Sequence, residues 1–204
     1  MDMRTEYRKL VNLVTRDPVV GFDFTDCGIA KESIPESLRF VYEFAGAAKL
    51  NQAHNRLLNP VKLSVDENGF VAFAEENQGV VIWGYLASDG NGEVMVYQRY
   101  LENGTYGAWV EEGRLISEFL VSIGYWNAAM GAADVSAVGE SSETTRKKIE
   151  VLPVLWKPFD FTVHGNDSYA IILGAGGEFY AFGNNANELR AFVDSLDAAC
   201  LDMG

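Results

Sequence analysis

Apolar side chains recur on two different periods along this chain, and the change of period divides it. Near the start, Tyr7, Leu10, Val11 and Val14 stand at i, i+3, i+4 and i+7, the spacing of an amphipathic helix. "RDPVVG" ends that helix, because the residue before Pro18 is steered away from helical backbone angles. In "SIPESLRFVYEFAG", Ser33 and Glu36 are spaced as a capping box, and Pro35 fits the first turn, where its missing N–H is no loss. Leu38, Val41, Tyr42 and Ala45 then make one apolar stripe, with Gly46 as the stop.

From about Lys62 the period becomes two. "GFVAFAE", "GVVIWGYL", "EVMVYQRY" and "TYGAWVE" are short β-rich runs. Asn68 and Gly69, residues 77–79, residues 89–92, and Asn103 and Gly104 separate them, and these residue types accept the positive φ of hairpin turns. A meander of four or five antiparallel strands is predicted. "RLISEFLVSI" restores helical spacing with Leu115, Phe119 and Ile123, and Glu111 and Glu112 are read at the start of that helix, where the dipole favours negative charge.

Residues 135–148, "VSAVGESSETTRKK", are small, polar and charged, and read as a loop. Beyond them "FDFTVHG", "SYAIILG" and "EFYAFG" are predicted strands, the last two joined by a turn at 174–177. "NNANELRAFVDSLDAACL" is predicted as a closing helix, with Asn185 as cap and Leu189, Phe192, Val193 and Leu196 as stripe. The order defines an α+β fold: an antiparallel meander sheet flanked by N-terminal and C-terminal helices, with a C-terminal hairpin-helix extension. Residues 1–133 are taken as the main domain. Residues 134–204 are taken as a linker and extension that packs on it, since some 60 residues bury little alone.

Composition narrows the class. With 204 residues, 48% of them hydrophobic, the chain has material for a core. Its apolar runs are too short to span a bilayer and its start, "MDMRTEYRKL", lacks the apolar region of a signal peptide, so a cytoplasmic protein is expected. Cys27 and Cys200 have no metal or redox spacing and are read as buried thiols, with one long-range disulfide as the alternative.

Charge is unevenly spread. The net formal charge is −13, yet residues 1–62 are near neutral. Residues 63–113 hold nine acids against Arg99 alone, a net of −8, and residues 158–204 hold seven acids against Arg190, a net of −6. Such a surface argues against nucleic acid and anionic membranes as partners; it is explained first by solubility and second by attraction of a basic protein.

Catalytic patterns are missing. His54 and His164 lack zinc spacing, "VGESSE" is no nucleophile elbow, and "LGAGGEF" lacks the third glycine of a dinucleotide loop and the Gly-Lys-Ser/Thr of a phosphate loop. Glu75 and Glu76 are adjacent, so on a strand they point to opposite faces. No catalytic residue, cofactor or metal site is therefore assigned. Among the aromatic residues Trp83, Tyr85, Tyr97, Tyr100, Tyr106 and Trp109, the first two share one face of a strand with Val81, while Val80, Ile82 and Gly84 share the other.

"SIPESLRFVYEFAG", "LLNPVKL" and above all "FVAFAEENQGVVIWGY", followed by "RLISEFL", resemble the SUKH superfamily over roughly residues 17–130. Its members include a yeast cell-wall synthesis regulator and bacterial immunity proteins. The resemblance implies an α+β fold and binding rather than catalysis; residues 131–204 depart from it, since the short family core lacks them. The expected function is a non-catalytic protein-binding module, an immunity protein that neutralises a basic toxin. The alternatives are a regulatory scaffold in cell-wall or signalling pathways and, last, a carboxylate-based hydrolase. Partner contacts are expected at Glu75, Glu76, Asp89, Glu93, Glu111 and Glu112, chosen for their acidity, and at the aromatic residues Trp83 and Tyr85. "EENQG" itself is read first as a turn between two strands.

Overall fold

The computed structural model describes residues 2–158, 161–174, 176–196 and 200–203, the last four as backbone only. The fold is α+β, with five α-helices and two antiparallel sheets among the described residues. It divides into two compact units. One comprises Met1–Tyr7 and Pro18–Ile123, the other Arg8–Asp17 and Gly124–Gly204. Helices α1 (Met3–Val14) and α3 (Ile116–Asn127) therefore each contribute one part to either unit.

In the first unit, α2 (Glu36–Ala45) carries the expected stripe, with Leu38, Val41, Tyr42 and Ala45 fully buried. Its start differs from the capping box read in the sequence. Ser33 ends a separate 3-10 turn, and Pro35 occupies the cap position without any side-chain hydrogen bond. Burial of Ile34 and the fixed φ of Pro35 set the entry instead, and Glu36 pairs with Arg4. Gly46 keeps a helical φ of −57°, so it is not a left-handed stop. Its role is clearance: a Cβ there would lie 2.4 Å from Cδ2 of Phe22.

The first sheet contains β1 (Asn55–Leu57), β2 (Phe70–Glu76), β3 (Val81–Leu86), β4 (Met95–Glu102), β5 (Thr105–Tyr106) and β6 (Val110–Leu115). Strands β1 to β4 pair in sequence order, and both β5 and β6 pair with β4. The expected meander is present, with β1 added before it. Glu111 and Glu112 lie on β6, where Tyr97 faces Glu111 across the ladder. They do not start a helix; α3 begins at Ile116 with Glu118 in its first turn.

A bulge between Ala72 and Ala74 sets which residues of β2 face which way. Val71 opposes Tyr85 and Ala74 opposes Trp83, with Phe73 between them. All face the core, where Phe73 and Trp83 both meet Phe119 of α3, at ring-centre distances of 5.7 and 5.5 Å. Past the bulge Glu75 opposes Ile82, on the other face.

The second unit has its own sheet, ordered β12-β7-β11-β10-β9-β8. Its strands are β7 (Val135–Glu140), β8 (Val154–Trp156), β9 (Val163–Gly165), β10 (Tyr169–Leu173), β11 (Glu178–Gly183) and β12 (Cys200–Met203). Residues 135–148 are therefore not a loop. They form β7 and much of α4 (Glu143–Glu150), which Ser142 caps by accepting from Thr145 N–H at 3.1 Å. The polar composition concealed a strand laid between β11 and β12, and a helix whose buried side rests on Thr145 and Ile149.

Helix α5 (Ala186–Ser195) has the predicted Asn185 cap. Leu189, Val193 and Leu196 of its stripe join Ile149, Ile171 and Phe179 in one apolar cluster, and Phe192 stacks on Tyr169. The helix stops there; residues 200 and 201, expected within it, belong to β12. Residues 159, 160, 175 and 197–199, which fall in the predicted "FDFTVHG" strand, the 174–177 turn and the closing helix, lie outside the described residues. So does the side chain of Cys200; Cys27 is a free, half-buried thiol. Among the described residues no helix is long and apolar enough to cross a membrane.

Candidate functional site

The face of the first sheet opposite the core carries a connected set of aromatic and charged side chains. Gly84, in the "VVIWGY" run, leaves that face bare, and the indole of Trp109 fills the space. Phe70 stacks on Trp109 with ring centres 5.0 Å apart, and meets Tyr97 edge-on at 5.0 Å.

Arg99 lies within this group. Its guanidinium carbon is 4.6 Å from the Trp109 ring centre and 5.0 Å from that of Tyr106, an arrangement in which the ring faces attract the cation. Asp66 closes the set. One carboxylate oxygen accepts from Trp109 Nε1 at 2.9 Å and lies 3.6 Å from Arg99 Nη1. The other accepts from the backbone N–H groups of Asn68 and Phe70, both at 2.9 Å. Partial burial pushes the Asp66 carboxyl up, but these hydrogen bonds and the Arg99 charge outweigh it and hold the group below the ordinary carboxylate value. Tyr106 donates its hydroxyl to the Gly79 carbonyl at 2.7 Å, which fixes the 77–79 turn against β5.

The electrostatic result follows from this engagement. Arg99 is the one cation among residues 63–113, and Asp66 occupies it. Glu75 is paired with Arg56 at 3.0 Å and Glu112 with Arg114 at 3.5 Å. Glu76 accepts from Gln78 N–H, and Glu93 from the Ser37 hydroxyl at 2.6 Å, which leaves both charges in place. Asp89, Glu93 and Glu111 are exposed, as are Glu67 and Glu102. Acidity therefore remains on this unit's surface after its internal pairs are made.

The two aromatic residues singled out beside the acids behave differently from that expectation. Tyr85 is 1% exposed, and its hydroxyl is buried without a hydrogen-bond partner among the described residues. Trp83 is half-buried against Phe119. Both face the core, because their parity on β3 matches that of Val81 rather than Ile82. Phe70, Trp109 and Arg99, which the sequence did not single out as a site, hold the opposite face together. The signal for them was Gly84 itself, a bare position beside strand aromatics.

Glu75 and Glu76 of "EENQG" end β2, and residues 77–80 form the turn to β3, with Gly79 at φ +70°. Among the described residues no three His, Cys, Asp or Glu side chains are grouped to hold a metal ion. His164 is buried in β9 with Nδ1 3.3 Å from the Leu152 carbonyl. Ser141 and Ser142 of "VGESSE" bond to the Gly177 carbonyl and the α4 terminus. No protein-family model, no curated protein and no solved structure matches the chain.

Proposed function

We propose that this chain is a non-catalytic protein-binding module of the SUKH type, and that it neutralises a basic toxin by covering its working surface. The observation that carries the reading is the unbalanced acidity of residues 63–113. Arg99 is consumed internally by Asp66, while Asp89, Glu93, Glu102 and Glu111 stay exposed. A surface of one sign raises the encounter rate with an oppositely charged partner and rejects like-charged ones. Toxins that attack nucleic acid need basic surfaces for their own substrate, so an acidic inhibitor occupies the place of that substrate.

The resemblance of "FAEENQGVVIWGY" and its neighbours to the SUKH superfamily supports the same reading. Capture from the native host with tagged protein at low salt, followed by co-expression of what is captured, tests it. The expected result is a single basic protein that arrests growth alone and not with this chain. Recovery of envelope or signalling proteins without any growth effect would instead favour a regulatory scaffold.

A further inference from the structure

We propose that partner contact is anchored at one corner of the first sheet, made by Val80, Tyr100, Leu101 and Val110 and edged by Glu102 and Glu111. Its occupant is a lysine- or arginine-bearing apolar segment of a partner protein. The assignment rests on the binding reading above and supplies its location and chemistry.

The four apolar side chains are 42%, 46%, 40% and 49% exposed, respectively, values that set them apart from the core. They are neighbours through the ladder. Leu101 N–H donates to the Val80 carbonyl at 2.8 Å, Tyr100 faces Val81, and Val110 faces Gln98 two residues along β4. Strand parity puts Val80 and Leu101 on one side of the sheet and Tyr100 and Val110 on the other, so the four wrap its corner. Glu102 follows Leu101 and Glu111 follows Val110, both exposed.

The corner is also held in place before any partner arrives. Tyr106, cross-strand from Leu101, ties the turn beside Val80 through Gly79. Arg99, next to Tyr100, is fixed between two rings and Asp66. A fixed surface loses less entropy on binding. Charge selects the occupant: the acids repel nucleic acid, anionic lipid and a second copy of this acidic chain, and attract a cationic segment with apolar side chains between its charges.

The test uses the full chain, isotope-labelled, and a blocked synthetic octapeptide alternating lysine with leucine. A second octapeptide with glutamate in place of lysine is the control. Amide shifts on titration are expected to concentrate at residues 80, 100–102 and 110–111. Affinity is expected to fall at least about tenfold for the glutamate peptide, for the E102K/E111K double variant and for Leu101→Ser, whose unperturbed remaining spectrum reports an intact fold. Asp167→Lys, in the second unit, is expected to bind as the parent does.

Absence of lysine-peptide binding, shifts centred elsewhere, or equal affinity in E102K/E111K would overturn the assignment. The two claims fail separately. A lysine peptide that binds this corner while no toxin is ever captured removes the neutralising function and leaves the surface. A captured toxin indifferent to E102K/E111K and Leu101→Ser does the reverse.

Discussion

Trp109 lies so close over Gly84 that a Cβ at residue 84 would stand 2.7 Å from the far edge of the indole, and 2.8 Å from the Val71 carbonyl. Neither neighbour is the end of a flexible chain. Gly84→Ala is therefore expected to lift Trp109 from the sheet and to destabilise the first unit by about 1–3 kcal/mol, the usual cost of overpacking. Chemical denaturation followed by tryptophan fluorescence reads both effects. An unchanged midpoint would mean that the indole does not rest on this strand.

The indole is bound in turn to Asp66, whose carboxyl titrates below its ordinary value of 3.8. A depressed folded-state value stabilises the fold above the unfolded value, and that contribution is lost as pH falls through the folded one. Stability is thus expected to drop as pH falls below about 3.8, and Asp66→Asn is expected to remove part of that slope while lowering stability at neutral pH. Denaturation midpoints measured across the acid range check it.

Two buried tyrosines give opposite expectations. Tyr7 donates to Asn51 Oδ1 at 2.6 Å, and Asn51 donates onward to the Ala45 carbonyl at 2.7 Å, so Tyr7→Phe strands a buried acceptor and is expected to cost about 1–3 kcal/mol. The Tyr85 hydroxyl has no partner among the described residues, so Tyr85→Phe is expected to leave stability unchanged or raise it by up to about 1 kcal/mol. Equilibrium unfolding of the pair decides.

The same burial has a consequence at high pH. Burial pushes Tyr7, Tyr42 and Tyr85 up from the ordinary value of 10.0. A raised value contributes stability below the unfolded value and loses it as pH rises toward the folded one. Stability is expected to fall above about pH 10, less steeply in Tyr85→Phe. A flat profile to higher pH would contradict the burial.

The sequence was most legible where period and turn chemistry agreed. The Leu38–Val41–Tyr42–Ala45 stripe marked α2, and the Asn and Gly separators marked the β2–β4 meander, because both depend on local spacing alone. It was least legible where tertiary pairing decided. In residues 135–140 the β formers Val135 and Val138 are diluted by Ser136, Ala137, Gly139 and Glu140, yet β11 pairs along their whole length, and that pairing overrides the weak local propensity. Glu111 and Glu112 read as a helix start, yet β4 recruits their segment as a strand.

The candidate site divides in the same way. The acids were visible as composition, and the two faces of β3 were visible as parity. The choice between those faces was not, because it depends on the bulge at Ala72 and Ala74 and on which strand α3 covers. That is why Trp83 and Tyr85 read as partner contacts in the sequence while Phe70, Arg99 and Trp109 did not.

The measurement that bears most directly on function is the affinity of the captured basic partner for the parent chain and for an E76Q/E102Q/E111Q variant, each across rising salt. A side-chain amide at position 76 still offers an acceptor for Gln78 N–H, so the turn is retained while charge is removed. Parental affinity is expected to fall at least about tenfold as salt rises, with the variant weaker at low salt and nearly salt-independent. Equal affinity in both chains at every salt concentration would contradict the claim that the acidic sheet does the binding.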